Sequence, residues 1–199
     1  MCSYFCIDKD HPLPYTSIRR GHVLINPTEK AKEEISMDLK KVFQTAIKSE
    51  IEGRELYKMA AEKTADTKAK KVFQMLADEE QGHYDKLLAM AKAHDAGEAI
   101  PAADLPAPAS FEDAQSPIFT REFKDKVSDF DMTALSIGIK LEIESEKFYR
   151  EAAAGANQKE VKDLFNKLAD WEKGHYSFLQ KQISFFESYY TNKYSSYRF

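Results

Sequence analysis

Apolar residues recur every three to four positions in four stretches of this chain, the period of a helix with one buried face. The first stretch carries Leu39, Phe43, Ala46/Ile47, Gly53, Tyr57 and Ala60/Ala61; the second carries Val72/Phe73, Leu76, Leu87 and Met90. The third carries Leu135, Gly138/Ile139, Tyr149 and Ala152/Ala153, and the fourth Leu164/Phe165, Leu168, Leu179 and Ile183. Polar breaks at 61–68 and 153–159 separate the members of each pair. Ser36 or Asp38 is the expected cap of the first helix, and Asp129 or Asp131 that of the third.

The two pairs are copies of one another. An offset of 92 residues aligns IKSEIEGRELYKMAA (47–61) with IKLEIESEKFYREAA (139–153), and FQMLADEEQGHYDKL (73–87) with FNKLADWEKGHYSFL (165–179). Across 47–88 against 139–180, 18 of 42 positions are identical without a gap. Two copies suit a two-fold arrangement, since a solenoid needs three or more. The stretch between them (96–117) holds four of the seven prolines. Structureless connections of this length are uncommon inside a domain. A four-helix bundle in which helices two and three run in the same direction requires one. The expected organisation is therefore an N-terminal arm (1–35), a bundle (36–190) and an aromatic tail (191–199). The bundle divides into a hairpin at 36–95, a crossover at 96–128 and a second hairpin at 129–190. Two independent hairpin domains are disfavoured, because a lone helical pair cannot bury its apolar face. A homodimer, including one that exchanges hairpins across the crossover, is compatible with the pattern.

Composition agrees with long helices. Glycine and proline number only seven each in 199 residues, and 31% of residues are charged. A net charge of −4 gives no electrostatic case for nucleic-acid binding. No run approaches the ~18 apolar residues of a membrane span, and the first residues lack a signal-peptide core. Two cysteines, Cys2 and Cys6, exclude a disulfide scaffold and a four-cysteine metal site, so a cytoplasmic location is expected.

Each apolar stripe is interrupted at its centre by a carboxylate: Glu50, Glu80, Glu142 and Glu172 stand where leucine is expected, with His83 and His175 one turn after two of them. Burying an unpaired carboxylate costs several kcal/mol or neutralises it. Four converging carboxylates repel unless cations intervene. Glu and His three apart on a helix point the same way, so Glu80/His83 and Glu172/His175 can each grip a metal. One Glu from each of two helices plus Glu-x-x-His from the other two is the di-iron carboxylate pattern. Solvated faces or buried salt bridges are the alternative, but the stripes offer too few basic residues, Arg54 being the one candidate. With four ligand charges among the acids, two divalent ions would bring the formal charge to zero.

The segments EIEGRELY (50–57), LADEEQGHY (76–84), EIESEKFY (142–149) and LADWEKGHY (168–176) resemble the rubrerythrin-like branch of the ferritin-like superfamily. The resemblance spans about residues 36–185 and implies an all-α, ferritin-like four-helix bundle. It implies that Glu50, Glu80, His83, Glu142, Glu172 and His175 hold two irons, with Glu80 and Glu172 available to bridge. Tyr57 and Tyr149 match tyrosines beside the ligand carboxylates, although core packing explains them equally well. Manganese or zinc also suits such a donor set.

The chain departs from rubrerythrins proper in three ways. It lacks the two Cys-x-x-Cys pairs of a rubredoxin module. Ser145 stands where those proteins carry a further carboxylate; Glu146 is a candidate substitute, and an Arg54–Glu146 pair is the competing use of that side chain. Material at both ends lies outside the resemblance. The arm holds Cys2, Cys6, His11 and His22, in which Cys-x3-Cys-x4-His could take a metal, free thiols being the ordinary reading. Residues 178–199 hold eight of the 24 aromatics, suited to capping the bundle or to a subunit contact. His94 is expected to face solvent.

The function the resemblance implies is a di-iron oxidoreductase. It would reduce hydrogen peroxide or dioxygen, with electrons from an external donor such as a rubredoxin or flavoprotein. A ferroxidase-type iron-handling protein and a metal-stabilised binding module are the alternatives, and a hydroxylase would need a sizeable cavity beside the metals.

Overall fold

The computed structural model describes residues 38–102, 104, 105 and 128–195. The arm with Cys2, Cys6, His11 and His22, most of the crossover and the last four residues lie outside them. The described residues belong to one compact unit, 37–199, built from α1 (Leu39–Lys63), α2 (Thr67–Ala96), α3 (Asp129–Gly155) and α4 (Lys159–Ser195). No strand occurs among the described residues, so the all-α bundle expected from the periodicity is what forms.

The helix starts are chemically defined. Asp38 caps α1 by accepting from the Lys41 backbone N–H. Buried Asp66 caps α2 through the N–H groups of Lys68 and Ala69. For α3 the cap is Ser128 rather than Asp129 or Asp131: Ser128 and Asp131 form a capping box, each side chain accepting from the other's backbone N–H. Asp131, one of the two expected caps, instead holds the third helical position and closes the box from inside the helix. Helix α2 ends on Gly97, the only described residue with positive φ (68°), whose N–H and that of Glu98 close onto the last turn. Helix α4 continues to Ser195 and so takes in most of the segment expected as a separate tail.

The apolar core falls into two clusters. One joins Leu56 and Ala60 of α1, Phe73 and Leu76 of α2, Leu135 of α3 and Leu179 of α4. The other joins Phe43 of α1, Leu87 and Met90 of α2, Ala152 of α3 and Leu164, Phe165 and Leu168 of α4. The end of α1 and the starts of α2 and α3 therefore share one end of the bundle, while the start of α1 and the ends of α2 and α3 share the other. Helices α2 and α3 run in the same direction, so α2 ends and α3 begins at opposite ends of the bundle. Ile100 and Leu105, at the beginning of the crossover, pack on the second cluster. Between the two clusters lies the middle of all four helices, where the core is polar.

Candidate metal centre

All six residues singled out by the sequence meet in that middle layer. Glu50 (α1), Glu80 and His83 (α2), Glu142 (α3) and Glu172 and His175 (α4) are each at most 3% exposed. They form two groups whose potential ligand atoms lie within 4.8 Å of one another: Glu50, Glu80, His83 and Glu172, and Glu80, Glu142, Glu172 and His175. Glu80 and Glu172 belong to both.

The side chains are turned accordingly. His83 presents Nδ1 at 3.3 Å from Glu50 Oε2, 3.7 Å from Glu80 Oε2 and 3.7 Å from Glu172 Oε1. His175 presents Nδ1 at 3.2 Å from Glu80 Oε1, 3.5 Å from Glu142 Oε2 and 3.5 Å from Glu172 Oε2. Each shared carboxylate thus offers one oxygen to either histidine. The space beside Glu80 is kept by Gly53, where a Cβ would sit 3.4 Å from the Glu80 carboxyl carbon.

The tyrosines tie one hairpin to the other. Tyr57 of α1 donates its hydroxyl to Glu142 of α3, and Tyr149 of α3 donates to Glu50 of α1. Both are fully buried. Each bond is the repeat equivalent of the other, so the duplication reads out as a two-fold relation around the site. Gly138 makes room for Tyr57, its Cβ position being 3.1 Å from the hydroxyl.

Without cations this layer has no adequate internal solution. Glu50 Oε2, Glu80 Oε1, Glu172 Oε1 and both ring nitrogens of His83 make no hydrogen bond among the described residues. Each such buried atom costs about 1–3 kcal/mol. Protonation is the alternative relief. Burial, reinforced by Glu80, pushes the Glu50 carboxyl up to about 8. Burial and the charges of Glu80 and Glu142 raise Glu172 well above its usual range. Burial acts upward on Glu80 too, but the neighbouring Glu50 carboxyl and the adjacent imidazoles outweigh it and hold Glu80 below the carboxylate range. Burial disfavours charge on the histidines, yet Glu50 and Glu80 raise His83 to about 9, and Glu142, Glu172 and Glu79 raise His175 well above normal. Groups that must hold protons to coexist are groups that cations can satisfy instead. The residues present fit a pair of divalent metals.

Other expectations fare differently. Ser145, in the place of the further carboxylate, is buried and exchanges a hydrogen bond with Ser49 (2.8 Å). Glu146 stays out of the cluster; its side chain is 29% exposed and pairs with Arg150 at 3.8 Å, one turn on. The Arg54–Glu146 pair does not form either, because Arg54 binds Glu55 and Gln81 and lies over the Tyr84 ring. His94 is half-buried rather than solvent-facing, its ring 6.2 Å from that of Phe43.

Two residues escaped the sequence reading. Glu79 Oε2 lies 2.9 Å from His175 Nε2, and Trp171 packs edge-on to both histidines, at 5.2 Å from His83 and 5.8 Å from His175. Glu79 and Trp171 occupy equivalent places in the two copies, and that mismatch beside a ligand was the available signal. Both line a cleft of about 790 Å³ that reaches His83 and is bounded further by Met75, Gly82 and Leu105.

Comparison with known proteins agrees with this geometry. Residues 41–183 match the family described as Rubrerythrin. No curated protein matches the sequence. A solved structure of a hypothetical protein from Pyrococcus furiosus is similar in fold, with a TM-score of 0.56 at 24% identity, covering 79% of this chain and 96% of that one. The family match spans well over half of the chain and contains all six converging residues; the chain belongs to the rubrerythrin family.

Proposed function

We propose that this protein is a di-iron oxidoreductase that reduces hydrogen peroxide or dioxygen, using electrons from an external donor. The observation that carries the reading is the pair of overlapping carboxylate–imidazole groups, sharing Glu80 and Glu172, sealed between two apolar clusters. Glu50, Glu80, Glu172 and His83 would hold one iron, and Glu80, Glu142, Glu172 and His175 the other. Hard carboxylate oxygens with imidazole nitrogens suit iron, and this helix-by-helix arrangement is that of di-iron carboxylate proteins. When bound, the two irons supply one electron each, the pair that with two protons converts hydrogen peroxide to two waters.

The chain's own contribution is positional and electrostatic. Tyr57 and Tyr149 fix Glu142 and Glu50 by donating to one oxygen of each, leaving the other to face inward. The apolar clusters above and below keep bulk water out, which strengthens every charge interaction in the layer. The cleft ending at His83 gives a small oxidant an approach from outside the bundle. The external donor in this proposal is a rubredoxin or a flavoprotein.

Stopped-flow mixing of the anaerobically iron-loaded protein with peroxide and, in parallel, with dioxygen tests this. Oxidation faster than that of free ferrous iron, repeated after chemical re-reduction, is the expected result. Oxidation no faster than free iron would overturn the enzymatic reading. Accumulation of ferric mineral would point to iron handling instead.

A further inference from the structure

The duplication predicts two equal metal positions, since the ligand types recur in both copies and the tyrosine bonds are equivalent. The surroundings of the two histidines are not equivalent. Both turn Nδ1 toward the carboxylates, so what each Nε2 meets decides how firmly the ring is held. At His175 it meets Glu79, 2.9 Å away, on a side chain only 15% exposed. At His83 the repeat-equivalent residue is Trp171, whose indole lies edge-on to the ring (74°) and offers a donor but no acceptor. The Nε2 of His83 accordingly makes no hydrogen bond among the described residues.

A carboxylate accepting from the outer N–H of a metal-ligating histidine fixes its tautomer and orientation and raises its basicity; losing such a partner typically costs 10–100-fold in metal affinity. We propose that Glu79 is a positioning residue for His175, and that the Glu79/Trp171 break makes the two metal positions unequal. The position formed by Glu80, Glu142, Glu172 and His175 fills first and more tightly than the one formed by Glu50, Glu80, Glu172 and His83. This rests on the di-metal reading above, and it assigns the inequality to one side chain that is itself no ligand.

Anaerobic titration of the metal-free full-length chain with cobalt(II), followed by its visible absorption in competition with a chelator, tests the proposal without any turnover. The native chain should show two steps, the first at least tenfold tighter than the second. His83→Ala should retain the tight step and His175→Ala lose it. Glu79→Gln, which keeps the shape but removes the charge, should weaken the step that remains in the His83→Ala background about tenfold and shift its cobalt bands. In the His175→Ala background the same substitution should change the constant by less than twofold. A general loss of packing would act in both backgrounds. Two equal steps in the native chain, or an equal effect of Glu79→Gln in both backgrounds, would overturn the inequality while leaving the di-metal reading intact. Failure of the native chain to bind two cobalt ions would overturn both.

Discussion

Tyr149, on α3, donates its hydroxyl to Glu50, on α1, 99 positions earlier in the chain. The bond crosses from one copy of the repeat to the other and is matched by Tyr57 and Glu142 in the opposite sense. Each tyrosine therefore has two jobs: its ring packs in the core, and its hydroxyl satisfies a buried carboxylate oxygen.

Replacing either tyrosine with phenylalanine keeps the ring and deletes the donor. The buried carboxylate oxygen left behind should cost about 1–3 kcal/mol, which lowers the melting temperature by several degrees in a chain of this size. Tyr57→Phe and Tyr149→Phe should lose similar amounts, because their settings are repeat-equivalent. Thermal denaturation of the metal-loaded proteins measures this. Unchanged melting in both would show that the hydroxyls contribute nothing beyond their rings.

The metal-free protein should become less stable as pH rises. Glu50 moves from 4.5 to about 8 on folding and His83 from 6.5 to about 9. The folded state thus binds more protons than the unfolded one between pH 4.5 and 9, and stability falls with pH throughout that window. Raised values at Glu172 and His175 act in the same direction. The depressed value of Glu80 acts oppositely, its contribution being lost as pH falls below 4.5. Denaturant midpoints of the metal-free chain should therefore decline from about pH 6 to pH 9. Metal loading should remove the decline, with protons released on binding. A metal-free protein that gained stability with pH over this range would contradict the assignment.

Much of this layer is legible in the sequence. A carboxylate in the middle of an apolar stripe has few physical excuses, and the 92-residue offset multiplied each oddity by two. The six residues and the direction of the crossover followed from periodicity and spacing, with the resemblance supplying the fold's name. What failed were side chains whose partners depend on rotation about a helix by a fraction of a turn. Glu146 lies only about 40° round the helix from Glu142, yet that suffices to hand it to Arg150. Arg54 was likewise claimed by nearer partners, Glu55 and Gln81. Glu79 was missed for the complementary reason. It sits beside a ligand in an acidic run and reads as solvated surface until the opposing helix brings His175 to it.

Two glycines separate helix propensity from packing. Gly82 lies exposed within α2, and a Cβ there meets nothing within 4 Å. Gly82→Ala should stabilise the protein by roughly 0.5–1 kcal/mol. At Gly138 the same methyl group would lie 3.1 Å from both the Tyr57 hydroxyl and Leu179 Cδ1. Gly138→Ala should lose that gain or turn destabilising, by displacing a hydroxyl that holds Glu142. Equal stabilisation by both substitutions, measured by urea denaturation, would mean that the fit around Tyr57 is loose.

The claim on which the rest depends is that these six side chains hold two metals, with Glu80 and Glu172 shared between them. Metal content per chain after anaerobic ferrous reconstitution and removal of free iron tests it most directly. The native protein should retain two irons, and Glu80→Ala or Glu172→Ala, each removing a ligand from both positions, should retain fewer than one. A native chain that keeps no iron, or a variant at either shared glutamate that keeps both, would contradict the account.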